Sequence, residues 1–165
     1  MTEHTIEEHK IRTNSAYRLN VNDLVSAGGA LSAHISLPTN SSDELVITSV
    51  KATMLGPYTL NKPVNPDVTE GTEHTISNRR EGNTNVDSVA TGYKNSTYSN
   101  ETELQLEYIG KDDSRPGAAV DEFGGESNTA VGTVVSGGDF IIELENRSSA
   151  TEYNGSITIE FYETT

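Results

Sequence analysis

A group of potential metal ligands lies in a glycine-rich acidic stretch of this chain. Asp112, Asp113, Asp121 and Glu122 all fall within residues 110–128. Clustered carboxylate oxygens are the ligands that Ca²⁺ and Mg²⁺ prefer in proteins. Their spacing is not that of a regular calcium-binding loop, so the alternative is an acidic loop exposed to solvent. We expect these four side chains to hold any bound Ca or Mg ion, and we expect no other cofactor.

Three tyrosines have the chemistry to stack on a sugar ring. Tyr93 and Tyr98 lie in a stretch rich in Asn, Ser, Thr and Gly, and Tyr153 lies in the last polar loop. They define an alternative interpretation, in which the chain is a carbohydrate- or receptor-binding module. The chain has 7 Tyr and no Trp, which makes for a weak sugar-binding platform.

Residue patterns for catalysis are absent from the sequence. The four histidines, His4, His9, His34 and His74, are far apart, and His34 falls on the polar face of a strand pattern. No serine-hydrolase, phosphate-loop or dinucleotide motif occurs. Carboxylate pairs of the type used by glycosidases are available by residue type alone. We predict that the protein is not an enzyme, with a glycoside-processing enzyme as the third hypothesis.

The elements that position these residues are strands with a period of two. The clearest are residues 139–146 and 156–163, in which alternate residues are apolar. The inward residues of these two runs are Phe140, Ile142 and Leu144, and Ile157, Ile159 and Phe161. A polar connection that ends in Asn154-Gly155 joins the runs, which predicts a turn and an antiparallel pair, apolar inside and acidic outside.

Further alternating or apolar runs cover residues 17–21, 31–37, 44–55, 103–109 and 131–135. We find no apolar residues at helical spacing, and polar turns separate the runs. The sequence therefore predicts an all-β fold: a two-sheet antiparallel sandwich of about eight strands, jelly-roll-like, with long polar loops and little helix. Residues 1–13 are predicted to be an N-terminal arm, and residues 14–165 a single β-sandwich domain.

The charge balance limits the possible partners. Asp and Glu number 25 against 11 Lys and Arg, which gives a net charge of −14. Such an acidic surface repels phosphate backbones, so we expect no nucleic-acid partner. The acidity is spread along the chain, which favours adaptation to molar salt over ordinary acidic solubility. There are no cysteines, and we expect neither a signal peptide nor a membrane partner.

Three segments carry a resemblance to a known class of protein. They are residues 138–146, the polar loop and residues 154–163 that follow, and the run from Leu45 to Met54. Together with the acidic, lysine-poor and cysteine-free composition, they resemble small β-sandwich structural proteins of tailed viruses that infect halophilic archaea. The resemblance covers about 40 of the 165 residues and carries over no functional residue.

This resemblance implies a virion structural protein: a capsid decoration or turret subunit, or a tail or spike component. The expected partners are other copies of the chain, in a homo-oligomer, and neighbouring virion proteins. The expected place of synthesis is the host cytoplasm, and the final location is the virion. The N-terminal arm and the sheet edges are the features expected to make these contacts.

Overall fold

The computed structural model describes residue 10 and residues 15–80, 86–109, 119–122 and 132–164. Side chains are described for all of these except residues 105–109 and 119–122. Lys10 is the one helical residue within this part of the chain, and strands dominate the rest. The predicted all-β fold is therefore confirmed. The predicted arm, residues 1–13, lies outside the described residues apart from Lys10.

Fourteen strands occur in the described residues. In chain order they are β1 (Ala16–Val25), β2 (Ala30–Leu37), β3 (Glu44–Met54), β4 (Tyr58–Val64), β5 (Asp67–Thr69), β6 (Thr72–His74), β7 (Ile76–Asn78), β8 (Thr91–Lys94), β9 (Thr97–Ser99), β10 (Glu103–Ile109), β11 (Ala119–Glu122), β12 (Val134–Val135), β13 (Gly138–Asn146) and β14 (Tyr153–Thr164).

Two antiparallel sheets face each other. The first has the order β11-β3-β14-β1-β7, with β12 also paired to β3, and the second has the order β10-β4-β13-β2-β8-β6. The eight strands β1–β4, β10, β11, β13 and β14 follow the order of a jelly roll, because each of the pairs β1/β2, β3/β4, β10/β11 and β13/β14 is divided between the sheets. The two-sheet antiparallel sandwich that the sequence predicts is thus confirmed, and the additional strands are short.

The two C-terminal strands do not pair with each other, which corrects one prediction. β13 pairs with β2 and β4, whereas β14 pairs with β1 and β3 in the other sheet. Asn154-Gly155 lies within β14 and does not form a turn. The predicted faces are right, because both strands direct their alternate apolar side chains into the core. Period two defines which face is apolar but not which sheet a strand joins.

The core lies between the sheets and is built from long strands of both. Leu19, Leu31, Ile47, Leu60 and Ile159 are each 0% exposed. Burying each such side chain contributes about 1.5–3 kcal/mol. This apolar layer fixes the register of the sheets, because a slip of one residue would bring charged side chains inside.

The segment between β4 and β10 extends both sheets beyond the jelly roll. β7 adds to β1 in the first sheet, and β8 and β6 add to β2 in the second. β5 and β9 pair only with each other and form a two-stranded ribbon, which we call the covering ribbon. The segment therefore shields the edges of β1 and β2, which would otherwise present unpaired backbone groups.

Glu163 at the end of β14 connects three parts of the chain. Its Oε1 accepts hydrogen bonds from Ser88 Oγ at 2.5 Å and from Val89 N at 2.8 Å. Its backbone oxygen accepts from Lys10 Nζ at 3.2 Å, and its N donates to Ser15 O at 2.8 Å. Burial raises the pKa of the Glu163 carboxyl, while the hydrogen bonds from Ser88 and Val89 oppose that rise.

We expect the variant Glu163→Gln to gain stability relative to the wild type as pH rises. A raised pKa means that the folded state binds the proton more tightly than the unfolded state, so wild-type stability falls as pH rises through the folded pKa. Glutamine keeps an acceptor for Ser88 and Val89 and has no proton to lose. Urea denaturation of both proteins at pH 4 and pH 7 tests this, and a difference in unfolding free energy that is the same at both pH values would contradict it.

Candidate functional site

A second buried layer lies on the outer face of the second sheet, outside the main core. Ser32 and His34 from β2 and Ile141 from β13 are 3%, 0% and 1% exposed. Alternation places them on the face opposite the core, where a sandwich normally meets water. The residues between β8 and β9, which we call the covering chain, lie over them, because Ser32 Oγ donates to Ser96 O at 2.7 Å. The ring of Tyr93, the neighbour of His34 on β8, stacks on the His34 ring with centroids 5.2 Å apart.

A linear array of Ser96, His34 and Asp139 is the centre of this layer. Ser96 Oγ lies 2.8 Å from His34 Nδ1, and His34 Nε2 lies 2.7 Å from Asp139 Oδ1. An ionised carboxylate only accepts, so Nε2 donates to Asp139, and in a neutral ring the Ser96 hydroxyl donates to Nδ1. Ser96 Oγ in turn accepts from Gly71 N at 3.0 Å.

The same three residue types form the relay of serine hydrolases, but the surroundings here serve another purpose. In a hydrolase the serine oxygen must reach a substrate carbonyl. Ser96 is 3% exposed, and its oxygen is engaged by both His34 and Gly71. The imidazole nitrogens are also used in the reverse sense, with Nδ1 toward the serine. The array therefore fastens the covering chain to the sheet and offers no open nucleophile.

A hydrogen-bonded group of Tyr98, Asn61 and Glu143 lies on the same face of the second sheet. Tyr98 Oη donates to Glu143 Oε1 at 3.0 Å, and Asn61 Nδ2 donates to the same oxygen at 3.1 Å. Burial, and secondly the nearby Glu143 carboxylate, raise the pKa of Tyr98. Asn61 Oδ1 is buried without a hydrogen-bond partner in the described part of the chain. These contacts hold the covering ribbon over β4 and β13.

An open cleft begins where β4 and β13 separate. Their pairing runs from Tyr58/Asn146 to Asn61/Glu143 and stops two residues before Pro63, which has no N–H to donate to a ladder. The resulting cavity has a volume of about 550 Å³. Its walls are the end of β4 with the residues after it, and β12 with the beginning of β13: Lys62, Pro63, Val64, Asn65, Pro66, Thr133, Val134, Val135, Ser136, Gly137, Gly138, Asp139 and Phe140.

The cleft has the size of a ligand site. Its volume falls in the range of small-molecule sites, about 300–1,000 Å³. It combines apolar and polar lining residues with the end of the Lys62 side chain, and the Lys62 residue is 8% exposed. Asp139 connects the cleft to the buried array through its bond with His34. This site is not evident from the sequence, because Pro63 and Pro66 are typical of a loop, whereas β4 continues to Val64.

The tyrosines of the alternative interpretation are divided between two places. Tyr93 and Tyr98 lie over the outer face of the second sheet, each partly buried by the contacts described above. Tyr153 begins β14 in the first sheet and packs against Gly56, where an added Cβ would lie 2.6 Å from its Cζ. The structure therefore does not bring the three rings together.

The predicted cation ligands lie outside what the structure describes in side-chain detail. Asp112 and Asp113 are outside the described residues, and Asp121 and Glu122 are described only as backbone of β11, paired with Ala52 and Lys51. Among the described side chains, no group of three or more His, Asp or Glu is close enough to hold a metal ion. None of the described segments is a helix of the length and apolarity needed to cross a membrane.

Comparison with known proteins gives no relative. No protein-family model matches the chain, and neither a curated protein nor a solved structure is significantly similar to it.

Proposed function

We propose that this protein is a non-enzymatic structural subunit of a virion, in a capsid decoration, turret or tail-associated position, that assembles as a homo-oligomer. The observation that carries the proposal is the jelly-roll order of the eight principal strands. Viral capsid proteins are prominent users of this architecture, and lectin domains are another. The link from this architecture to a virion role is fold analogy.

Two further features support a structural role. The one Ser-His-Asp array in the described residues is closed to substrate and fastens the fold together. The chain carries a net charge of −14, and screening shortens the range of repulsion to about 3 Å at 1 M salt. Copies of such an acidic subunit are therefore able to pack together in brine, where the neighbours' like charges are screened.

Assembly is the property that tests the proposal most directly. Size-exclusion chromatography with light scattering in molar NaCl is expected to give a discrete oligomer, a trimer or a pentamer. Because charge repulsion opposes association, the oligomer should dissociate as NaCl is lowered. A monomer at every salt concentration and at high protein concentration would contradict the assembly role.

The acidic surface makes a separate prediction about stability. With 25 acidic against 11 basic residues, self-repulsion destabilises the compact state at low ionic strength. We expect the melting temperature to rise between 0.1 M and 2 M NaCl. At this chain length each 1 kcal/mol of relieved repulsion corresponds to about 2–4 °C. A sucrose series of equal osmolality is the control, and equal melting temperatures at low and high NaCl would remove the proposed adaptation to salt.

The second candidate function is carbohydrate or receptor binding, and the cleft beside Lys62 is the observation that favours it. Jelly rolls also occur as lectin domains. A glycan array probed with the labelled protein tests this function, with binding to acidic glycans as the expected result. An array without any binding would contradict it and would leave the assembly role unaffected.

A further inference from the structure

Lys62 lines the cleft and has no ion-pair partner among the described residues. Its residue is 8% exposed, and its Nζ lies 5.7 Å from the centroid of the Phe140 ring. Alternation along β4 explains the burial: Tyr58 and Leu60 face the core, and Lys62 is next on the same side. Among the described residues, no carboxylate lies within 4.0 Å of its nitrogen. Burial of most of this side chain disfavours its charged form, and an anion bound at the ammonium group would offset that cost.

The carboxylates near Lys62 do not fill this need. Asp139 lines the same cleft, but its Oδ1 is bound to His34 Nε2. Glu103 acts on Lys62 only through a longer-range attraction, which is smaller than the effect of burial, so the pKa of Lys62 is lowered overall. In a chain with 25 acidic residues, a lysine that faces a cleft and contacts no carboxylate in the described part of the chain is suited to bind an anion from outside.

We propose that the cleft between β4, β12 and β13 binds an organic monocarboxylate, with Lys62 as the partner of its carboxylate group. A single ammonium balances one negative charge, and Asp139 and Glu103 disfavour a dianion such as phosphate. The body of the ligand would lie against Pro63, Val134 and Phe140, which line the same cleft. This site goes beyond the proposed assembly role and does not depend on it.

The residues that line the cleft suit a ligand with an apolar or sugar-like body. Val134 is 53% exposed and gives one wall an accessible apolar surface. Thr133 and Ser136 add polar groups to the same side, and the Ser136 hydroxyl donates to Glu44. The Lys62 ammonium also contacts the face of Phe140, an arrangement that holds the cation in place while it keeps N–H groups for a ligand.

Isothermal titration calorimetry tests the proposal with two probes, benzoate and glucuronate. We expect at least one of them to bind saturably, and benzamide and glucose, their neutral counterparts, not to bind. The variant Lys62→Met should weaken binding by about tenfold or more. Lys51→Met is the matched control, because Lys51 is exposed on β3 in the other sheet and its loss should leave binding unchanged.

Four results would contradict the proposed site. They are that neither carboxylate binds, that the neutral compounds bind equally well, that Lys62→Met binds as tightly as the wild type, or that phosphate binds as tightly as the carboxylates. Circular dichroism checks that Lys62→Met is folded, and the comparison with benzamide and glucose on the wild-type protein needs no variant. Light scattering in molar salt is a separate readout, so failure of the anion site and failure of the assembly role are distinguishable.

Discussion

Replacement of Asn146 by alanine is expected to lower the free energy of unfolding by about 3–5 kcal/mol. The Asn146 side chain is 0% exposed at the end of β13. Its Nδ2 donates to Val25 O at 3.0 Å and to Thr151 O at 2.9 Å, and its Oδ1 accepts from Ser148 N at 2.9 Å. Alanine would leave these three backbone groups without their partner, and each unsatisfied buried group costs about 1–3 kcal/mol.

The variant Asn146→Asp separates hydrogen bonding from side-chain size. Aspartate keeps the acceptor for Ser148 N but replaces the two N–H donors with an oxygen that faces two carbonyl oxygens. We expect it to destabilise the protein at least as strongly as alanine does at pH 7. Asn154→Ala is the control, because Asn154 is exposed in β14 and its loss should cost less than about 0.5 kcal/mol.

Guanidinium denaturation of the three variants measures these effects. A loss below 1 kcal/mol for Asn146→Ala would show that water readily replaces the amide, and it would contradict the role we assign to Asn146. The contact with Val25 spans 121 residues along the chain. A large effect would therefore also show that this side chain, together with the backbone bonds between Asn146 and residues Gly28 and Gly29, fastens the β1–β2 turn to the loop after β13.

This role was not predictable from the local sequence. Asn146-Arg147-Ser148 is one of the Asn-x-Ser/Thr triplets that normally indicate exposed loops. Asn95 and Asn100, which begin two other such triplets, do lie in turns, with φ of 62° and 55°. What distinguishes Asn146 is that a turn more than a hundred residues away in the chain supplies a backbone acceptor. No short window of sequence contains that information.

The pattern of β3 shows how much local sequence does contain. Leu45 and Ile47 fall on odd-numbered positions, whereas Val50, Ala52 and Met54 fall on even-numbered ones. This pattern predicts a strand with apolar residues on both faces. In the structure all five are buried in one core, because a β-bulge interrupts the pairing with β14. The bulge falls at the phase change, where Thr48 Oγ1 donates to Glu160 O at 3.1 Å.

The candidate site was harder to predict than the fold. Period two correctly places His34 on the polar face of β2, but it does not show that the chain around Ser96 covers that face. Lys62 follows Tyr58 and Leu60 at a spacing of two, so a signal for its burial exists in the sequence. Pro63 favours the opposite interpretation, because proline in a strand normally indicates an edge strand or the end of a strand.

The second large effect is expected at Gly71, where the chain before β6 passes against the chain after β8. A Cβ at this position would lie 2.5 Å from Asn95 C and 2.6 Å from Ser96 N, and it would also overlap Lys94 O. All three atoms belong to the backbone, which cannot rotate away as a side chain can. Gly71→Ala must therefore separate the two segments or strain both.

We expect Gly71→Ala to cost about 2–4 kcal/mol, at or above the usual range for an overpacked site. Separation of the segments would also break the bond from Gly71 N to Ser96 Oγ and draw Ser96 away from His34 Nδ1. The ¹⁵N chemical shifts of the His34 ring should therefore change together with the loss of stability. Ser96→Ala should produce a similar spectral change with a smaller loss of stability, because it removes the hydrogen bonds without a clash.

Gly28→Ala is the control for the added methyl group. Its φ is 74°, and a Cβ there meets nothing within 4 Å, so only the backbone strain of a left-handed conformation applies. That strain costs about 1–2 kcal/mol. Two results would contradict the role we assign to the close approach of these segments. One is that Gly71→Ala is no more destabilising than Gly28→Ala, and the other is that Gly71→Ala leaves the His34 resonances unchanged.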